Sequence, residues 1–172
     1  MSSLDVVRAN KFVSDNQNID VVGLDIPVVG GHAGTTIIPL LSHVKDAKFT
    51  DNDIKEITHR VQFGGDEVVK AKNGGGSATL SMAYAGWTFA EKVLRAADGE
   101  EGIIVYTFVE NDELNTKYLA SKVELGRQGI AKVHQLPPMS EAETKALHAA
   151  LPELNASIQK GIKFAQSHQG TK

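Results

Sequence analysis

A single histidine, His32, lies in a glycine-rich turn between two apolar runs. The run before it, Ile26–Val29, is rich in β-branched residues and predicts a buried strand, and the turn itself reads Gly30-Gly31-His32-Ala33-Gly34. Glycines allow the backbone to turn sharply and allow another molecule to approach closely. Such a turn can present an imidazole to a small substrate as an acid–base group, although histidines also occur in glycine-rich turns without taking part in chemistry.

A carboxylate and a guanidinium are spaced for one face of a helix near the start of the chain. Asp5 and Arg8 lie three residues apart in the stretch Leu4–Asn10, which we interpret as helical. The carboxylate is suited to orient an imidazole, and the guanidinium is suited to hold a substrate carboxylate through two parallel hydrogen bonds. The alternative is a surface ion pair, which would contribute roughly a few tenths of a kcal/mol and no chemistry.

Four segments of the chain resemble the C-terminal half of the malate dehydrogenase family, and the branch that includes the mitochondrial enzymes is the most similar. The spacing between the segments agrees as well, and the resemblance extends over essentially the whole chain. It implies one domain, residues 1–172, that binds substrate and carries the catalytic residues, and it implies a homodimer. The segments are Leu4–Asn10, Pro27–Leu40, Ser77–Ala85 and Leu151–Ile158.

The resemblance implies a role for each polar residue named above and for one methionine. His32 resembles the residue that takes the hydroxyl proton of malate and returns it when oxaloacetate is reduced, with Asp5 as its paired carboxylate. Arg8 resembles the arginine that holds the C1 carboxylate of the substrate. Met82 resembles a residue near the nicotinamide of bound NAD, whereas its chemistry alone indicates a side chain that fills the core. Hydride transfer would belong to NAD, while the protein would orient the substrate and manage its proton.

The composition excludes several other classes of protein. The chain has 172 residues, no cysteine and a formal net charge of −3. It is therefore long enough for one domain with a core, and it has neither disulfides nor a thiolate zinc site. The charge gives no reason to expect nucleic acid as a partner. No apolar run is long enough to span a membrane. We also expect no metal, because His43 has no second ligand at metal spacing.

The motifs that bind a dinucleotide are missing from the sequence. No Gly-x-Gly-x-x-Gly follows a strand, and no acidic residue is placed to hold a ribose. Gly74-Gly75-Gly76-Ser77 leads into a helix whose N-terminus is able to bind an anion, but we interpret it as the end of one helix and the start of the next. We therefore expect the nucleotide-binding domain of the family to be absent, with Met1 beginning a fragment or with the first half on a separate chain.

Two functions from different classes fit these features. The first is the catalytic and substrate-binding domain of an NAD-dependent malate dehydrogenase. The second is a catalytically inactive fragment that acts as a dimerisation or binding module, because nothing here holds NAD.

The first residues are not a signal peptide, and the last, Gly170-Thr171-Lys172, are not the peroxisomal tripeptide. The sequence does not identify the compartment, and the mitochondrial matrix and the cytoplasm both stay open.

The first part of the chain predicts a helix followed by short extended segments. We expect a helix over residues 3–15 that is capped by a serine, then short strands at Val21-Val22 and at residues 27–29. Residues 36–41 follow the histidine turn and are predicted to be extended.

Two long helices are predicted in the middle of the chain. The first begins at a capping box of Thr50 and Asp53, or at Asp51 alone, and is kinked at Gly64-Gly65. The second covers residues 78–97. Its predicted packing residues are Trp87, Phe89, Val93 and Leu94.

Three strands and a final helix are predicted in the rest of the chain. The strands form an antiparallel meander over residues 102–109, 118–125 and 130–136. The last helix follows a capping box of Ser140 and Glu143. We therefore expect an α+β fold in which antiparallel strands carry long helices packed on one side. The buried stripe of the last helix is Leu147, Leu151, Leu154, Ile158 and Ile162.

Overall fold

The computed structural model of the chain describes residues 2–77 and 79–168, and these contain four α-helices and five β-strands. The predictions made for Ala78 and for Gly170-Thr171-Lys172 fall outside these residues. The helices are α1 (Ser2–Gln17), α2 (Asp51–Ala71), α3 (Leu80–Asp98) and α4 (Glu141–Ser167). The strands are β1 (Val28–Gly30), β2 (Ile37–Pro39), β3 (Ile103–Glu110), β4 (Tyr118–Gly126) and β5 (Gly129–Val133).

The strands form one antiparallel sheet in the order β2-β1-β4-β3, with β5 also paired to β4. β3, β4 and β5 follow one another as the predicted meander, in which Val123 lies opposite Val105 on one side and Val133 on the other. Gly30 opposite Ala120 joins β1 to β4. The predicted α+β fold with an antiparallel sheet and long helices is confirmed, and it sets β1 inside the sheet.

Helices cover both faces of the sheet at β1. Val28 faces α1 and α2 and packs in a core with Val61. Its neighbour Val29 points the other way and packs against Leu147 of α4. A strand that is buried on both faces is apolar at successive positions, as the sequence here is. The prediction that the helices pack on one side only is therefore wrong for this part of the sheet.

Capping boxes begin two helices, as predicted. The backbone N–H of Asp53 donates to the hydroxyl oxygen of Thr50, and the N–H of Thr50 donates to the carboxylate of Asp53, at the start of α2. Ser140 and Glu143 form the same reciprocal pair at the start of α4. Each box pairs amide groups that the first turn of a helix otherwise leaves without a partner.

Three local predictions in the first half differ from the structure. Val21-Val22 is not a strand: the N–H of Val22 donates to the carboxylate of Asp20, and the N–H of Leu24 donates to the carbonyl oxygen of Val21, so the segment is a turn. Helix α2 continues through Gly64-Gly65, so the predicted interruption of the helix is absent. The extended segment is also shorter than predicted, because Thr36 belongs to a 3₁₀ turn.

One face of α3 is open to solvent. Phe89 packs against the core between α3 and the meander, as predicted. Trp87, by contrast, is 63% exposed, and Val93 and Leu94 are exposed as well. The amphipathic pattern of the helix led to the prediction that these apolar side chains are packed, but within the described part of the chain nothing covers Trp87, Val93 and Leu94. The predicted packing of Trp87, Val93 and Leu94 is therefore wrong for this chain.

Candidate active site

The turn after β1 and the first helix bring an imidazole and a buried carboxylate together. Nδ1 of His32 donates a hydrogen bond to Oδ2 of Asp5 over 2.6 Å. The side chain of Asp5 is fully buried, whereas that of His32 is 40% exposed. Because a carboxylate only accepts hydrogen bonds, Nδ1 carries the hydrogen, and a neutral ring then has its lone pair at Nε2.

Thr36 closes the turn that carries His32. Its hydroxyl donates to the carbonyl oxygen of Ala33 over 2.7 Å, and its own carbonyl oxygen accepts from the N–H of Gly31 over 2.8 Å. Gly30 has a φ of +91°, and a Cβ at that position would overlap the carbonyl oxygen of Thr36. Glycine is therefore required here by the backbone conformation and by the close approach of Thr36, and the closed turn sets the direction of the imidazole.

Arg8 lies one helical turn after Asp5 on the same face of α1. Its Nη1 is 3.7 Å from Oδ1 of Asp5, a distance that allows an ion pair but is too long for a hydrogen bond. Oδ1 is buried and accepts no hydrogen bond from the described residues. The guanidinium therefore offsets the buried negative charge while it keeps its N–H groups for another acceptor.

A pocket of about 340 Å³ joins these groups. Arg8 and His32 line it from α1 and from the histidine turn, and Met82, half-buried on the first turn of α3, lines another wall. Asp5 lies behind His32, to which it is hydrogen-bonded. The structure thus brings together all four residues that the sequence singled out.

Helix α2 contributes to this pocket in a way that the sequence did not predict. Gln62 lines the pocket, and its side-chain amide donates to the carbonyl oxygen of Ile37 over 2.9 Å, which ties α2 to β2. Arg8 lies against α2 at Gly64. The signal in the sequence was the glycine pair inside an otherwise regular helix, which indicates a close approach as readily as it indicates a kink.

Outside this pocket, the structure bears on the predictions for His43, for metal binding and for membrane spans. His43 is exposed, as predicted, and its Nε2 donates to the carbonyl oxygen of Pro138 over 2.7 Å. Within residues 2–77 and 79–168, no three His, Asp or Glu side chains are grouped so as to hold a metal ion. None of the described helices combines the length and the apolar character needed to cross a bilayer.

The site combines a proton acceptor with a group that binds anions. Nε2 of neutral His32 can take a proton from an alcohol, and the carboxylate of Asp5 stabilises the imidazolium that forms. Arg8 can hold a carboxylate through two parallel hydrogen bonds. A 2-hydroxy acid carries its hydroxyl group next to a carboxylate, so one small molecule of this class would meet both groups at once.

The chain belongs to the lactate/malate dehydrogenase α/β C-terminal domain family, whose model matches residues 2–165. The glyoxysomal malate dehydrogenase of Citrullus lanatus is 50% identical over 168 residues, which are 97% of this chain and 47% of the relative. The chloroplastic malate dehydrogenase of Arabidopsis thaliana is 49% identical over 168 residues, which are 96% of this chain and 42% of that protein. The predicted resemblance is confirmed, and the chain spans about half the length of the curated relatives it matches.

A solved structure has the same fold. The lactate dehydrogenase from Eimeria maxima with NADH and oxamate superimposes with a TM-score of 0.75 at 18% identity, over 98% of this chain and 53% of that one. At that identity the likeness establishes the fold alone. Other relatives are named for mitochondria and peroxisomes, so the similarity identifies a family and does not select a compartment.

Proposed function

We propose that this chain is the C-terminal catalytic and substrate-binding domain of an NAD-dependent malate dehydrogenase, which interconverts (S)-malate and oxaloacetate. The observation that carries the proposal is the pocket in which His32, oriented by Asp5, faces the same space as Arg8. The malate dehydrogenase names of relatives at 48–50% identity support the choice of substrate.

His32 and Asp5 manage the proton of the substrate in this proposal. In malate oxidation, Nε2 of His32 takes the proton of the hydroxyl group as the carbonyl forms. Asp5 accepts the hydrogen bond of Nδ1 throughout, so the ring keeps one tautomer before the transfer and becomes a stabilised imidazolium after it. In the reverse direction the same Nε2 returns the proton to the alkoxide oxygen of malate.

Arg8 orients the substrate by its C1 carboxylate. Apart from His32, it is the cationic side chain that lines the pocket in the described part of the chain. The second carboxylate of malate therefore needs a cation from elsewhere, and we assign that group to a nucleotide-binding domain outside this chain. A bidentate pair with Arg8 places the hydroxyl group of the substrate toward His32.

NAD is the cofactor of this proposal, and the pocket fits its nicotinamide end. The thioether of Met82 is half-buried on a wall of the pocket that also holds His32, so it offers an apolar surface to a flat ring. When bound, NAD would supply the hydride chemistry. Because the sequence has no dinucleotide fingerprint, we assign the rest of NAD to the separate nucleotide-binding domain.

A homodimer is the proposed assembly, and the open face of α3 supports it. Leu80, Tyr84, Trp87 and Leu94 recur on one side of the helix, and all four are exposed. Exposed apolar stripes of this kind mark surfaces that bind other proteins. The same observation supports the second candidate function, an inactive fragment that acts as a dimerisation or binding module.

The test of the proposed chemistry is the His32→Asn substitution in the complete enzyme, which is this chain together with its nucleotide-binding domain. We expect NADH-dependent reduction of oxaloacetate to fall by about 10³-fold, because the proton donor is lost. The matched control is His148→Asn, since His148 is exposed on α4 and should leave turnover unchanged. Near-normal turnover in His32→Asn would remove His32 from the proton-transfer role.

Two measurements test the proposed division into domains. The purified 172-residue chain should turn over little or no oxaloacetate, and appreciable turnover would contradict the need for a second domain. The intact mass of the native protein should match a two-domain enzyme. A mass that matches 172 residues alone would favour the binding module instead.

A further inference from the structure

Two adjacent glycines, Gly64 and Gly65, lie in the middle of α2, which continues through them without interruption. Glycine inside a helix lowers its stability relative to alanine, because the glycine backbone loses more freedom on folding. Neither residue has a positive φ, so the backbone conformation does not require glycine there. The reason for the glycines therefore lies in what approaches the helix.

The side chain of Arg8 is what approaches. A Cβ added at Gly64 would lie 3.2 Å from Nε of Arg8 and 3.4 Å from its Cδ, which is closer than ordinary van der Waals contact. At Gly65 the corresponding distance is 3.9 Å to Nη2 of Arg8, an ordinary contact. The side chain of Arg8 thus lies against the bare backbone of α2 at Gly64, and Gly64 itself is buried.

This contact limits where the guanidinium can go. On one side lies α2, and on the other Oδ1 of Asp5 is 3.7 Å from Nη1. The side chain of Arg8 is only 16% exposed, so little of it is free to move into solvent. A long side chain that is held in one orientation loses less freedom when it binds a ligand, and its N–H groups are already aimed.

We infer that Gly64 is a positioning residue for the substrate carboxylate: by lacking a Cβ, it lets Arg8 lie against α2 with its guanidinium directed into the pocket. The inference rests on the proposed function for Arg8. Gly64 does not touch the substrate and acts only through Arg8. Its substitution should therefore weaken binding of the 2-hydroxy or 2-oxo acid more than it slows the chemical step.

The experiment is a comparison of Gly64→Ala and Gly161→Ala in the complete enzyme. Both substitutions improve helix propensity, but a Cβ at Gly161 in α4 would meet nothing within 4 Å. Gly64→Ala should displace Arg8 by a few tenths of an ångström and raise KM for oxaloacetate by about fivefold with a smaller change in kcat. Gly161→Ala should leave both constants unchanged.

A double-mutant cycle separates positioning from a general structural effect. In an Arg8→Ala background, Gly64→Ala should no longer change KM, because the side-chain atoms that it displaces are gone. An equal rise in KM with and without Arg8, or no rise at all, would overturn the inference. If Arg8→Ala itself leaves KM unchanged, the proposed function of Arg8 fails instead.

A second readout needs neither turnover nor cofactor. In the 172-residue chain, the ¹⁵N–¹H signal of Nε of Arg8 should shift in Gly64→Ala and stay in place in Gly161→Ala. An Nε signal that is the same in all three proteins would show that the Cβ does not reach Arg8, and the inference would be wrong.

Discussion

Two carboxylates of this chain, Asp5 and Glu143, are bound in opposite ways. Glu143 accepts four hydrogen bonds, from the N–H and the hydroxyl of Ser42 and from the N–H and the hydroxyl of Ser140, at 2.6–2.9 Å. Asp5 is fully buried, yet from the described residues it accepts only the hydrogen bond of His32, and its Oδ1 is 3.7 Å from Arg8. The more deeply buried carboxylate is therefore the less satisfied one.

The difference separates a structural carboxylate from one to which we assign a role in the proposed chemistry. The four donors of Glu143 tie the start of α4 to the segment after β2, and both oxygens of the carboxylate accept hydrogen bonds. Among the described residues, Asp5 accepts its one hydrogen bond from the imidazole of His32, which lines the pocket. A buried charge that is paired only with a titratable ring and an arginine holds those two groups in place for a ligand.

The comparison is tested most severely by removing each negative charge in the complete enzyme. Asp5→Asn should lower turnover of oxaloacetate by about 10³-fold, because an amide that donates to Nδ1 places the proton of the ring on Nε2. Glu143→Gln should leave turnover within about twofold, since Glu143 caps α4 and binds Ser42 but does not line the pocket of His32 and Arg8. Steady-state kinetics would contradict the account if Asp5→Asn kept a tenth of the wild-type turnover.

The turn that holds His32 should tolerate less change than other turns of the chain. Gly30→Ala should lower the free energy of unfolding by about 3 kcal/mol, because the new Cβ overlaps the carbonyl oxygen of Thr36 at a φ of +91°. Gly23 has nearly the same φ, +90°, but no atom within 4 Å of the added Cβ. Gly23→Ala should therefore cost only about 1 kcal/mol for the backbone conformation. Urea unfolding of both variants measures the difference, and equal losses would show that the contact with Thr36 adds nothing.

The smallest expected effect concerns the stability that Glu143 contributes. Glu143→Ala should lower the free energy of unfolding by about 1 kcal/mol at neutral pH. Burial raises the pKa of the Glu143 carboxyl. The hydrogen bonds from Ser42 and Ser140 together lower this pKa by more than burial raises it, so the net pKa lies below its ordinary value of 4.5. The stability that Glu143 contributes is present above the ordinary pKa, and it is lost as the pH falls through the pKa of Glu143 in the folded state. The gap between wild type and Glu143→Ala should therefore narrow below about pH 4.5, and a gap that widens there would contradict the assignment.

The site was predictable from the sequence where its residues lie in distinctive local patterns. His32 stands in a turn that only glycines allow, and Asp5 and Arg8 have the spacing of one helix face. Their resemblance to a known family then supplied the pairing that the structure shows. Gly64 was interpreted as a break in the helix, whereas it lies in contact with Arg8 on another helix, which no local pattern reveals.

Elements of the fold were predictable where a local sequence pattern has a single physical cause. The capping boxes at Thr50 and Ser140 and the meander were predicted correctly, since reciprocal caps and alternating strands are local signals. Val21-Val22 has the composition of a strand, but the carboxylate of Asp20 turns the backbone and no neighbouring strand pairs with it. Trp87 has the pattern of a buried residue, but the pattern does not say whether its cover lies on this chain.

The measurement that tests the central claim most directly is the tautomer of His32, read from the ¹⁵N chemical shifts of its ring in the 172-residue chain at a pH where the ring is neutral. The account predicts that the hydrogen is on Nδ1, bonded to Asp5, and that Nε2 carries the lone pair that accepts the proton of the substrate. In Asp5→Asn the hydrogen should move to Nε2. A wild-type ring that already carries its hydrogen on Nε2 would contradict the account, because that nitrogen would then have no lone pair for the substrate.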